Sequence, residues 1–168
     1  QALGELFIGP RHGVVVVGTH GKTTTSALMG FVLHHAGRDP SFLVGGVTRD
    51  FDSNFRLGRG GAFVVEGDEY DTAYFDKGPK FLHYRPQAAI INNIEFDHAD
   101  IFADLDAVRD AFARFAAIVP AGAPLLVPDD DVNCRDVLAT AGATGTTFGI
   151  GRGTWQARDL RWGGSEGT

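Results

Sequence analysis

Apolar residues along the chain follow two rhythms. Four runs are short and continuous, at residues 14–17 (VVVV), 62–65 (AFVV), 88–91 (AAII) and 125–127 (LLV), and glycine or proline bounds them. Runs of that length and composition predict buried strands of a largely parallel sheet. Between them the spacing changes to three and four. Over residues 23–36, Leu28, Val32 and Ala36 step by four with Met29 and Leu33 alongside, which predicts an amphipathic helix stopped by Gly37. Over residues 104–119, Leu105, Val108, Phe112, Phe115 and Val119 keep helical spacing, with Asp104 placed to cap the first turn and Pro120 to end the helix. Residues 132–141 predict a third helix. Past residue 146 the pattern loosens, with room for one or two edge strands.

Strands alternating with helices predict an α/β domain, a mostly parallel sheet flanked by helices, with ligands at the carboxyl ends of the strands. The length of 168 residues, 43% of them hydrophobic, suffices for one such domain with a sizeable core. A formal net charge of -6 gives no global attraction for nucleic acid or an anionic membrane, so an anion site has to be local. No apolar run approaches a membrane span, and the single cysteine, Cys134, has no internal partner; a cytoplasmic location is expected. The chain opens on Gln1 and closes in GGSEGT, from which a piece of a longer protein is expected.

The first β-branched run passes straight into "GTHGKTTT", residues 18–25, and then into predicted helix. Glycines at 18 and 21 let backbone N–H groups of Gly18, Thr19, His20, Gly21, Lys22, Thr23 and Thr24 turn inward. Lys22 adds a point charge, and the helix offers its positive end. A polyphosphate fits such a nest, with the Thr23 hydroxyl placed for Mg²⁺. The spacing is a shortened G-x-x-G-K-T, since Val16 stands where the longer phosphate-loop pattern has its first glycine.

Two acidic stretches decide what the loop serves. The second run ends in "EGDEYD" (Glu66, Asp68, Glu69, Asp71), and the third in "NNIEFDHAD" (Asn92, Asn93, Glu95, Asp97, His98, Asp100). In a parallel sheet both arrive at the edge that carries the glycine corner. Carboxylates and an imidazole beside a phosphate nest suit Mg²⁺. Asp68, Asp71 and Asp100 read equally well as solvated loop acids.

In order and spacing, "GTHGKTTT", "EGDEYD" and "NNIEFDHADIF" resemble the central ATP-binding domain of the Mur ligases, which extend UDP-N-acetylmuramate with amino acids or peptides. The resemblance implies a P-loop NTPase-like domain that is incomplete here: residues 1–168 would be part of the central domain, without the N-terminal UDP-binding and C-terminal domains. It further implies ATP and Mg²⁺, with Lys22 on the β- and γ-phosphates, Thr23 and Glu66 on one Mg²⁺, His98 on a second ion, and Asn93 facing the substrate or ion site. Within the family, Tyr70, residues 75–77 (FDK) and Phe96 favour the branch that joins L-Ala-γ-D-Glu-meso-diaminopimelate to UDP-N-acetylmuramate through an acyl phosphate, in peptidoglycan recycling. The L-alanine-adding branch is the alternative, and a non-catalytic ATP-binding module is another. The lysines are Lys22, Lys77 and Lys80, so none follows His98, and the carbamylated lysine of several Mur ligases has no counterpart. A fragment of this size is expected not to ligate by itself.

The remaining residues read as structural. His34, His35 and His83 lack partners at ligand spacing, and His12 precedes the first strand. His20 matters through its backbone, Phe112 and Phe115 fit a core stripe, and Arg49, Arg56 and Arg59 fall in a glycine-rich loop.

Overall fold

The computed structural model describes residues 2–73, 76–97 and 101–161; of residues 71–73, 76 and 77 only the backbone is described. A short segment of π-type helix (Leu3–Ile8) leads into β1 (His12–Val17) and α1 (Lys22–His35). Next come β2 (Ser41–Thr48), β3 (Ser53–Arg56), β4 (Ala62–Glu66), the hairpin β5 (Asp71–Ala73) and β6 (Asp76–Pro79), and a single 3-10 turn (Lys80–His83). The second half runs β7 (Ala88–Ile91), α2 (Leu105–Ile118), β8 (Leu125–Pro128), α3 (Val132–Ala141), β9 (Thr146–Ile150) and β10 (Trp155–Ala157).

Eight strands form one sheet in the order β10-β9-β8-β7-β1-β4-β2-β3. Every pairing in it is parallel except β2 with the edge strand β3. The first strand therefore lies between β4 and β7, with Val16 opposite both Glu66 and Ile90. That placement brings the "GTHGKT" corner between the two acidic stretches, because all three follow the carboxyl ends of adjacent parallel strands.

Side-chain alternation along β1 sends its valines to two cores. Val15 and Val17 join Phe63, Val65, Ala89 and Ile91 in a large cluster with α2 and α3, whereas Val14 packs with Phe42, Val44 and Val64 against Met29 and Leu33 of α1. In the larger core Phe81 lies between Phe112 and Phe115, ring centroids 5.6 and 5.1 Å away. All three rings are fully buried, each worth about 1.5–3 kcal/mol of transfer free energy. Asp104 accepts from the Ala107 amide at 2.8 Å and so starts α2 as its spacing predicts.

Two expectations need correction. The stripe of Leu28, Val32 and Ala36 does not face the core: Leu28 is 58% and Val32 51% exposed, and Ser26 and Gly30 are the buried residues of α1. The helix lies so close to the sheet that a Cβ on Gly30 would sit 3.3 Å from the Phe42 ring, and small residues occupy that face for this reason. Residues 53–56, read as loop, are β3, and the segment before them is β2, a strand interrupted in its pattern by Gly45 and Gly46.

Candidate nucleotide and metal site

Gly18 (φ 141°) and Gly21 (φ 76°) adopt backbone conformations that side-chain-bearing residues rarely take. Gly18 also presses against the stretch just after β7, where a Cβ would come within 2.9 Å of the Asn92 Cβ. Gly21 is the N-cap of α1 and offers no capping side chain, so the first-turn amides of the helix face a cleft of about 360 Å³. Thr19, His20, Gly21, Lys22, Thr23 and Thr24 line it, together with Glu66 and Asp97.

The stretch after β7 holds this corner in place. Asn93 Oδ1 accepts from the His20 amide at 2.8 Å, and Asn93 Nδ2 donates to the His20 carbonyl at 3.3 Å. Asn92 Nδ2 reaches the same carbonyl at 3.2 Å and the Thr25 hydroxyl at 3.0 Å. The Thr19 hydroxyl donates to the Glu95 carbonyl and accepts from the Glu95 amide. Asn93, expected to face substrate or ion, thus spends its amide on the loop backbone. His20 takes part through its main chain, and its ring lies 3.9 Å from the exposed Glu95 carboxylate. From the far side, Asp131 accepts from the Ile94 amide at 2.9 Å and Asn133 donates to the Ile94 carbonyl at 2.6 Å.

Lys22 folds back over the loop. Its ammonium donates to the carbonyls of Gly18 (2.8 Å) and Thr19 (3.1 Å) and to Glu69 Oε1 (2.9 Å), which engages all three of its protons. Glu69, in the "EGDEYD" stretch, is buried, its side chain 4% exposed. Thr23 Oγ1 donates to Glu66 Oε1 at 3.0 Å, and Glu66 Oε2 accepts from the Gly45 amide at 2.6 Å. A hydroxyl and a carboxylate in contact at the mouth of a phosphate nest are hard oxygen donors and fit Mg²⁺. Among the described residues no group of three or more His, Cys, Asp or Glu is arranged to hold a metal ion, so phosphate oxygens and water would have to complete the coordination of a Mg²⁺ held by Thr23 and Glu66. His98 and Asp100 lie outside the described residues.

A second cleft, of about 390 Å³, also has Lys22 and Glu66 in its wall. It is bounded by Gly45, Asp68, Tyr70, Lys80 and Tyr84. Asp68, which read equally well as a solvated loop acid, is 40% exposed but has partners, binding Lys80 at 2.8 Å and the Tyr70 amide at 3.0 Å. Burial opposes its ionisation, but the ammonium and the amide outweigh that and hold the carboxyl below its ordinary value. Burial, and the charges of Asp68 and Glu66 after it, push the Tyr84 phenol up. Elsewhere Arg56 pairs with Asp39 at 2.6 Å, and Cys134 is fully buried with its thiol pushed far up by desolvation, unsuited to act as a nucleophile.

The family model for the Mur ligase middle domain matches residues 16–166. The chain belongs to that family. The UDP-N-acetylmuramate–L-alanyl-γ-D-glutamyl-meso-2,6-diaminoheptandioate ligase of Escherichia coli K12 is 40% identical over 166 residues, 99% of this chain and 36% of that protein. The crystal structure of the corresponding ligase from Neisseria meningitides superposes with a TM-score of 0.85 at 41% identity, covering 91% of this chain and 50% of that one. The UDP-N-acetylmuramate–L-alanine ligase of Rubrobacter xylanophilus is 41% identical over 160 residues, 95% of this chain and 34% of that protein. The chain thus spans about a third of the length of these curated relatives. The mostly parallel sheet with flanking helices is the architecture of the Mur ligase middle domain. No helix among the described residues is long and apolar enough to cross a membrane.

Sequence reading placed Lys22, Thr23 and Glu66 together but assigned no partner to Glu69 and no role to Gly45. Glu69 carried a signal, as one of four acids in six residues. Gly45 carried none.

Proposed function

We propose that the chain is the ATP-binding part of a ligase that joins the tripeptide L-Ala-γ-D-Glu-meso-diaminopimelate to UDP-N-acetylmuramate. The supporting observation is that two clefts share one pair of residues, Lys22 and Glu66. One cleft is the phosphate nest at the start of α1; the other leads away past Asp68, Tyr70, Lys80 and Tyr84. A γ-phosphate seated over α1 would present its phosphorus to a carboxylate arriving through the second cleft, the alignment phosphoryl transfer needs.

In this reading the muramate carboxylate takes the γ-phosphoryl group, giving an acyl phosphate and ADP. The peptide amine then attacks the acyl carbon, and phosphate leaves from the tetrahedral adduct. Lys22, released from Glu69, neutralises the β- and γ-oxygens, while the open amides of α1 hold the rest of the polyphosphate. Mg²⁺ would be held by Thr23 and Glu66, with His98 assigned to a second ion, and would supply charge neutralisation at the transferring phosphoryl group. Asn92 and Asn93 keep the loop in its binding shape. The domains that hold UDP and deliver the amine are assigned to sequence beyond residues 1–168, and a cytoplasmic site of action goes with these substrates.

The tripeptide-adding reading rests on the E. coli and Neisseria ligases and on the local stretch "EGDEYDTAYFDK"; the Rubrobacter enzyme, of similar identity, favours L-alanine as the competing amine. The test is phosphate release by the full-length protein given ATP, UDP-N-acetylmuramate and either tripeptide or L-alanine. Release that depends on tripeptide is expected, and release with L-alanine alone would overturn the assignment.

A further inference from the structure

The carboxylate assigned to the metal is held from two sides, and only one of its supports belongs to the phosphate loop. Glu66 Oε1 meets the Thr23 hydroxyl at 3.0 Å; Oε2 receives the Gly45 amide of β2 at 2.6 Å, a short charge-assisted bond. A Cβ built on Gly45 would stand 2.8 and 2.9 Å from the two Glu66 oxygens and 3.1 Å from Cδ, and these are its three nearest atoms. Gly45 does not have a positive φ, so its glycine identity is not explained by backbone torsion. What the position requires is empty space, and the space is filled by the Glu66 carboxylate. The neighbouring Gly46 differs, since a Cβ there would make ordinary contact with Thr23 Cγ2 at 3.5 Å.

We propose that Gly45 is a positioning residue for Glu66: its amide fixes one carboxylate oxygen and its missing side chain leaves room for both, so that the other stays turned toward Thr23. The inference rests on the reading of Thr23 and Glu66 as a Mg²⁺ pair. Because Glu66 ends a strand through a flexible side chain, a methyl group at position 45 displaces the carboxylate and not the sheet. Outer partners of metal-binding carboxylates typically carry 10- to 100-fold in metal affinity, and the effect of this substitution should fall in that range.

The experiment uses the full-length protein, with ATP affinity measured calorimetrically in EDTA and across a Mg²⁺ titration, beside thermal unfolding. Gly45→Ala is expected to raise the Mg²⁺ concentration needed for tight ATP binding by about 10- to 100-fold. Metal-free ATP affinity should stay within about 2-fold, and Gly46→Ala should behave as wild type. In a Glu66→Ala background Gly45→Ala should change neither Mg²⁺ dependence nor melting temperature, since the new methyl then meets no carboxylate. If Gly45→Ala alone fails to fold, Gly45→Ala/Glu66→Ala should fold. The proposal is overturned if Gly45→Ala leaves the Mg²⁺ dependence unchanged, if Gly46→Ala shifts it equally, if metal-free affinity falls as far, or if the double variant also fails to fold. A wild-type protein whose ATP binding ignores Mg²⁺ would overturn the metal reading itself, and this inference with it.

Discussion

The Lys22 ammonium and the Glu69 carboxylate form an ion pair at 2.9 Å, with side chains 13% and 4% exposed. The lysine gives its two other protons to the loop carbonyls of Gly18 and Thr19. In the proposed function a phosphate oxygen reaching Lys22 would therefore enter by exchange, taking over a place that one of these acceptors holds.

Removing one partner of such a pair strands the other charge in a poorly hydrated place. Lys22→Met is expected to lower unfolding free energy by about 3–5 kcal/mol, and Lys22→Met/Glu69→Gln to recover much of it. Urea unfolding of both variants checks this. A double variant no more stable than the single one would show that Glu69 does not depend on Lys22. Both variants should lose ATP affinity, since neither retains the loop's cation.

The Asp68–Lys80 pair should appear in the acid limb of stability. Asp68 has a folded pKa held below its ordinary value of 3.8, so it takes up protons more readily in the unfolded chain. Its contribution is fully present above pH 3.8 and is lost as pH falls through the lower folded value. With the Asp68 side chain 40% and that of Lys80 37% exposed, solvent screens the pair and the contribution is small. Melting temperatures of wild type and Asp68→Asn should differ at neutral pH and converge in strong acid. A gap that widens as pH falls would contradict the assignment.

How much of this was legible in the sequence depends on whether the cause of each feature is local. The β-branched run before Gly18 and the glycines at 18 and 21 announce themselves because strand and tight corner each need a residue type at that place. The partner of Glu69 was not legible, because its pairing with Lys22 follows from β4 lying beside β1, a relation between elements. Asn92 and Asn93 were placed at the correct edge, yet their work on the loop backbone follows from β7 lying on the other side of β1. β2 was missed because Gly45 and Gly46 interrupt its apolar pattern, and Gly45 leaves space that only the folded sheet fills. On α1 Met29 and Leu33 do pack against the core, but the stripe of Leu28, Val32 and Ala36 was misplaced for a related reason: hydrophobic periodicity rewards large side chains, whereas close approach to Phe42 at Gly30 demands a small one.

That last point is testable on α1. Gly30→Val adds bulk where even a Cβ alone would lie 3.3 Å from the Phe42 ring, and overpacking of this kind costs about 1–3 kcal/mol. Leu28→Ser, at a residue 58% exposed in this chain, should stay within about 0.5 kcal/mol of wild type. Thermal unfolding of the 168-residue chain separates the two. The opposite ranking would restore the stripe of Leu28, Val32 and Ala36 as the buried face.

Asn93→Ala distinguishes a loop-shaping asparagine from one that touches ligand. The substitution leaves the His20 amide without its acceptor at 2.8 Å, while the His20 carbonyl keeps Asn92 at 3.2 Å. One such bond at an exposed site is worth about 0.5–1.5 kcal/mol. If that energy serves to hold the phosphate-binding shape of the loop, ATP affinity should weaken by about 2- to 12-fold. The factor should be the same with and without Mg²⁺, because the loop backbone, and not the pair of Thr23 and Glu66 proposed for the metal, has been loosened. Calorimetric titration under both conditions measures it. A loss confined to the Mg²⁺ arm would place Asn93 at the ion, where sequence reasoning first put it, and would mean that its bonds to His20 break when nucleotide binds.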